Sequence, residues 1–322
     1  MKSSVAPANR RFSLICQPVF RPSGGQNELC QKVVKGHSLF QSVYVLEGQQ
    51  LPLTPRLYRQ KVTCRAEAVP FVSKIDMAYQ EVTTFEPAPD TQTHLLTDSC
   101  AARAARRIWR AALQRGWDVT DGLRSNRPMR LIEPDGSHRW PSVSEYAATL
   151  TADDFTAIAW PTQDDEKIVY AHLVKTWVRK LGPCQVLITK LHPDDPLDPC
   201  FYWATSRREG TLEQVVDQVA QRWTIEVLFA DLKELMGSDH YQIRSAHGIV
   251  RFWALGLCLY QFLDEVRTTH RQLWGEHLTL GQARQQIRDS HQDALLDWIL
   301  DHADAGAARI DIRQALQPAM QL

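Results

Sequence analysis

Cysteine is sparse in this 322-residue sequence and nowhere grouped. Its seven cysteines (Cys16, Cys30, Cys64, Cys100, Cys184, Cys200, Cys258) include no C-x-x-C pair. That scatter excludes a clustered thiolate zinc site and fits reduced, mostly buried thiols. No apolar run approaches the roughly 18–20 residues that span a bilayer. The N-terminus lacks an apolar segment followed by a small-residue cleavage site, so the expected compartment is the cytoplasm, with no membrane partner. Net charge is missing too: 37 Lys and Arg balance 37 Asp and Glu. No aspartate precedes Asp76, and there is no internal repeat or low-complexity block. What is present is ordinary for a globular chain, 44% hydrophobic and 23% charged. A chain of this length can bury a substantial core in one large domain or two.

The balanced charge is unevenly distributed. Arg103, Arg106, Arg107, Arg110 and Arg115 stud one short predicted helix, and Arg124, Arg127 and Arg130 follow. The first sixty residues are basic as well. Acid concentrates in Asp153–Glu166, Asp194–Asp198 and the C-terminal third. This asymmetry permits a basic groove on one face.

Local patterns give an order of elements. Phe12–Cys16 reads as a short strand. Ser38–Leu46 and Gln50–Tyr58 read as a hairpin through Glu47-Gly48-Gln49. Val62–Thr84 has helical spacing interrupted near Pro70, Thr93–Thr97 is strand-like and ends at Asp98, and a helix runs from Ala101 to about Arg115, stopping at Gly116. Short strands then follow at Arg130–Ile132, Thr156–Trp160, Lys167–Leu173, Gln185–Lys190 and Phe201–Ser206. Thr211 and Gln214 form a capping-box pattern that starts a helix expected to reach Met236, before Gly237. Two more helices are predicted, Ile249–Thr268 and Leu280–His302.

The segment from Gln221 to Lys233 is the most informative. Arg222, Glu226 and Lys233 are spaced by four and seven. On a helix those steps place the three side chains within roughly 40° of one another. Ile225, Leu228, Leu232 and Leu235 form the apolar stripe that must meet a core. An acid bracketed by two cations on a core-facing helix suits a metal site that also grips phosphates. The plainer alternative is a surface Arg–Glu pair contributing a few tenths of a kcal/mol.

The stretch resembles the Tyr-x2-Arg-x3-Glu-x6-Lys signature of DDE transposases of bacterial insertion sequences. Arg222, Glu226 and Lys233 match in identity and spacing, Trp223, Ile225 and Phe229 match its usual wording, and Val219 stands in the tyrosine slot. The resemblance extends from about Phe12 to Leu263. It implies an α/β fold: a ribonuclease-H-like mixed sheet with flanking helices, a β-rich insertion and a helical C-terminal region. The parts implied are residues 1–116 and 208–270 for the core, 117–207 for the insertion and 271–322 for the C-terminal helices. The Leu123–Arg127 stretch resembles the strand that the family places after its second acid.

The resemblance further implies metal-dependent cleavage of DNA at element ends, then strand transfer. Asp98 matches the second acid and Glu226 the third, together holding Mg2+ or Mn2+. Arg222, Lys233 and Arg127 are the implied DNA phosphate contacts, and transposon ends the implied partner, with a homodimer possible. Trp160 and Trp140 are candidates for base stacking, whereas Trp223 is expected in the core. His240 and Tyr241 are placed near the site. The first acid of the family has no counterpart, because Asp76 falls in a predicted helix and Asp90 in a loop. The expectation is therefore a shortened or degenerate member with impaired catalysis. The alternatives are a non-catalytic DNA-binding or interaction protein on the same fold, and a metal-dependent nuclease unrelated to transposition.

Overall fold

A computed structural model of the chain describes residues 38–46, 49–97, 105–133, 135–161, 167–238 and 240–316. The predicted strand at Phe12–Cys16 lies outside these residues.

The predicted hairpin forms in two pieces. β1 (Ser38–Phe40) is followed by β2 (Val43–Leu46), β3 (Gln49–Pro52) and β4 (Arg56–Tyr58). β2 pairs with β3 and β1 with β4, each antiparallel. Pro52 and Pro55 lack backbone donors, so the returning arm cannot keep a continuous ladder. Gln41 spans the interruption: its buried amide donates to the carbonyls of Leu53 (2.6 Å) and Ser42 (2.8 Å).

Two helices follow, α1 (Lys61–Ala66) and α2 (Lys74–Thr84), with an extended stretch around Pro70 between them. The Ser73 side chain caps α2 by accepting from the Asp76 N–H at 3.1 Å. β5 (His94–Thr97) and β6 (Asp118–Gly122) are parallel and linked through α3 (Ala105–Gln114). Ile108, Trp109, Ala111 and Ala112 are the buried face of α3, and Gly116 ends the turn after it at φ +74°. Arg115 joins α2 to this unit. Its guanidinium donates to the carbonyls of Val82, Thr83 and Phe85 at the end of α2, and lies 4.5 Å over the Trp117 ring.

β6 corrects the sequence reading. Its Asp118, Asp121 and Gly122 have low strand propensity, yet pairing on both sides imposes an extended chain. The stretch expected as a strand, Leu123–Arg127, instead turns: the Arg127 N–H bonds the Arg124 carbonyl at 3.1 Å.

The chain after β6 supplies β7 (Met129–Ile132), β8 (His138–Arg139), α4 (Val143–Ala147), β9 (Thr156–Trp160), β10 (Lys167–Val178), β11 (Gly182–Lys190) and β12 (Phe201–Thr205). These strands do not form a separate sheet. They extend the β5–β6 pair into an eight-stranded sheet of order β5-β6-β12-β11-β10-β7-β8, with β9 also on β10. Among the described residues β5 ends the path. The sheet is mixed: β5–β6 is parallel and the other pairs are antiparallel.

Cross-strand partners point to the same side of a sheet, so the registers sort the two faces. Leu95, Val119, Val186, Ile188 and Ala204 pack with Ile108 and Trp109 of α3. Ala171 and Leu187 pack with Val215, Val216 and Val219 of α5 (Leu212–Gln221) on the other side. The result is a mixed α/β, ribonuclease-H-like sheet covered by helices on both faces.

The chain divides into two compact units, Met1–Leu257 and Cys258–Leu322. The first also holds α6 (Thr224–Glu234) and the beginning of α7 (Ala246–Trp274). In the second, Arg267 pairs with buried Asp264, Thr279 and Gln282 box the start of α8 (Leu280–Asp304), and α8 contacts α9 (Arg309–Leu316). No helix among the described residues is long and apolar enough to cross a membrane. Cys64 and Cys184 are buried as expected, but Cys258 is exposed; burial pushes the Cys184 thiol up to about 12.

Candidate functional site

Glu226 belongs to a helix pair rather than to the single helix expected from Thr211 to Met236. The predicted box is present, since Thr211 accepts from the Gln214 N–H at 3.3 Å. α5 stops at Gln221 and α6 starts at Thr224. At the join the chain tightens: the Arg222, Trp223 and Glu226 N–H groups bond three residues back, to Val219, Ala220 and Trp223. Both linking residues keep right-handed helical backbone, so the spacing of four still brings Arg222 onto Glu226. Ile225, Leu228, Phe229 and Leu232 are buried and fix the orientation of α6. The helix then ends as predicted at Gly237 (φ +60°), where the Gly237 and Ser238 N–H groups bond the carbonyls of Lys233 and Leu232.

Arg222 Nη1 donates to Glu226 Oε1 at 2.6 Å. The side chains are only 11% and 25% exposed, so this is no solvated surface pair. The guanidinium also lies 5.4 Å from the centroid of the Trp203 ring on β12. Trp203 is the Cα partner of Gly122 at the carboxyl end of β6. β6 runs parallel to β5 with Thr97 opposite Asp121, and Thr97 immediately precedes Asp98. The described register thus carries Arg222 and Glu226 to the sheet edge from which the chain leaves toward Asp98. Asp98 itself lies outside the described residues.

Three side chains of this arrangement hold buried polar atoms. Arg222 Nε, both amide atoms of Gln218 one turn earlier, and Trp203 Nε1 have no hydrogen-bond partner among the described residues. A buried donor left unmade costs about 1–3 kcal/mol. Neither Gln218 nor Trp203 was singled out from sequence. Gln218 had a signal, because it stands four residues before Arg222 on the same helical face; Trp203 had none, because only the fold brings β12 beneath the helix.

The remaining candidates are distributed around this centre. Lys233 is half-buried in the last turn of α6 and makes no ion pair among the described residues. Val219, in the tyrosine slot, is buried in the α5 core. Trp223 corrects an expectation. It is 56% exposed rather than in the core, because it precedes α6 away from the Ile225–Leu228–Leu232 stripe. Trp160 closes β9 and packs in part against the α5 cluster, whereas Trp140, after β8, is exposed. His240 is exposed, and the Tyr241 ring packs on Phe252 at 5.2 Å. Arg127 lies away from Glu226 in sequence, in the turn after β6, where it lines a separate cavity. Asp76 is engaged away from Glu226, at the α2–α3 contact. It is engaged by Ser73 and by Arg107 Nη1 at 2.6 Å, and these contacts hold its carboxyl below the usual range.

Among the described residues no group of three or more His, Cys, Asp or Glu is arranged to hold a metal. The donor chemistry does fit a hard divalent cation, because Glu226 and Asp98 are both carboxylates.

A sheet of this kind, with an acid-bearing helix at its edge, belongs to the ribonuclease-H-like class. A family profile described as "Transposase DDE domain" matches residues 63–262, and the chain belongs to that family. No curated protein matches the chain. Membership implies DNA as the partner, and the family typically uses a divalent metal.

Proposed function

We propose that this chain grips DNA ends at the carboxyl edge of β5 and β6, with Asp98 and Glu226 as its metal-holding carboxylates. The observation that supports this reading is the placement of Glu226: Arg222 anchors it over Trp203, beside the end of β6, where the neighbouring strand leads into Asp98. A bound Mg2+ or Mn2+ would supply Lewis acidity toward a phosphodiester and an activated water. Asp98 and Glu226 would hold it.

The chain's own residues do the rest. Arg222 holds Glu226 in a fixed orientation. Lys233 adds a cation about two turns along α6 from Glu226, and Arg127 binds backbone outside the cut. Trp140 is the more available of the two stacking candidates, since Trp160 is partly covered.

Catalysis in this chain is weak, because the family's first acid has no counterpart before Asp76 and Asp76 is committed to α3 through Arg107. The protein is then chiefly a DNA binder on a transposase frame. The test is incubation of the purified chain with labelled duplex and Mg2+. Binding with little cleavage is expected. Efficient Mg2+-dependent cleavage that Glu226→Gln abolishes would refute the impairment; absence of DNA binding would refute the whole reading.

A further inference from the structure

We propose a second DNA-backbone site, on the α3 side of the sheet and separate from Glu226. A cavity of about 520 Å³ lies between α3, the turn after β6 and the β10–β11 connection. Arg106, Arg124, Arg127, Arg179 and Lys180 line it, with Asn126, and no acid is among its described lining residues. In a chain of zero net charge, this concentration of one sign has to be explained.

The cations are presented rather than neutralised. Arg106, Arg124, Arg179 and Lys180 are exposed, and none makes an ion pair among the described residues. Arg107, the neighbour of Arg106, shows the contrast, because it is tied to Asp76 and stacked 3.7 Å from the Tyr79 centroid. Arginine forks match phosphate oxygens bidentately, and lysine adds a point charge. Clustered like charges repel, and a polyanion relieves that repulsion.

The scaffold under the cavity is fixed. The Arg179 N–H donates to the Pro128 carbonyl at 2.9 Å, locking the β10–β11 connection onto the segment that carries Arg124 and Arg127. Lys180 has φ +76°, a left-handed backbone that favours glycine or asparagine. A lysine kept in this strained position supplies charge at the cavity mouth, where a better turn residue would supply none.

Arg106 belongs to α3, which packs on the face bearing Val186, Ile188 and Ala204. Glu226 is anchored over Trp203, whose partner Leu187 packs on the opposite face with α5. One phosphate cannot occupy both places, so the cavity takes a stretch of DNA other than the one at Glu226. This inference rests on the DNA-binding reading above.

The test uses the full chain and a short fluorescent duplex of arbitrary sequence, titrated across a salt series. Replacing Arg106, Arg124 and Arg179 together by Gln should weaken binding by at least about tenfold and flatten the slope of log K against log salt by about 2.7, since each lost phosphate contact is worth about 0.9. The triple Lys variant should recover most of the slope. Lys180→Asn should weaken duplex binding without lowering the melting temperature, which separates the site from folding. If the wild type binds the duplex and the Gln variant matches it in affinity and slope, the second site is wrong. The site is equally overturned if inorganic phosphate protects the wild type from unfolding while duplex affinity ignores the substitutions. If the wild type itself does not bind duplex, the failure belongs to the DNA-binding reading.

Discussion

The two faces of the sheet handle charge in opposite ways. On the α5–α6 face, Arg222 is nearly buried and its cation is matched to Glu226 over an indole ring. On the α3 face, Arg106, Arg124, Arg179 and Lys180 stand exposed around a cavity with no acid among its described lining residues. The first arrangement holds a carboxylate still; the second leaves a field for an outside anion. A buried charge must be paired, and an exposed one need not be.

This contrast can be broken most forcefully at the core under α6. Leu228→Ala should cost about 2–5 kcal/mol in chemical denaturation, because the side chain is fully buried. It should also loosen the Arg222–Glu226 pair, whose Glu226 sits on the same helix. Arg115→Ala comes next. It removes donors to three carbonyls at the end of α2 and should cost about 1–3 kcal/mol. Arg115 thus serves as the structural arginine against which the cavity arginines are compared.

Glu226→Ala should cost about 1–2 kcal/mol, because it leaves the Arg222 guanidinium buried with less compensation. Glu226→Gln should cost less, since its amide oxygen still accepts. Arg179→Gln, on the other face, should change stability by no more than about 0.5 kcal/mol. A large loss there would mean that the cavity cations are structural and that the contrast between the faces is false.

The smallest effect is a pH dependence at the α2–α3 contact. Hydrogen bonds from Ser73 and Arg107, and the Arg107 charge, lower the Asp76 pKa from its ordinary 3.8. The folded form binds the proton less readily than the unfolded one. Its contribution is therefore complete above the ordinary value and disappears as pH falls through the lowered one. Asp76→Asn should flatten acid unfolding in that range, measured by circular dichroism.

Much of the fold was legible because local signals agreed with the final structure. Thr211 and Gln214 announced the start of α5, Gly237 the end of α6, and the Ile225–Leu228–Leu232 stripe its buried face. The Arg222–Glu226 pair followed from spacing alone. Where reading failed, tertiary pairing overrode local preference. β6 carries two aspartates and a glycine, yet two neighbours hold it extended. The join at Arg222–Trp223 has no proline or glycine to mark it, and it turned Trp223 outward. The cavity was foreshadowed only as a run of arginines. Its third wall, Arg179 and Lys180, comes from a hairpin more than fifty residues beyond Arg124, and no helical or strand period links them.

The central claim is that Asp98 and Glu226 serve one cation at one sheet edge. Mn2+ binding by calorimetry to the wild type, Asp98→Asn, Glu226→Gln and the double variant tests it most directly. Each single substitution should weaken binding, and the double should lose little more than either, because both side chains act on the same ion. Unchanged binding in either single variant, or two independent additive losses, would contradict it.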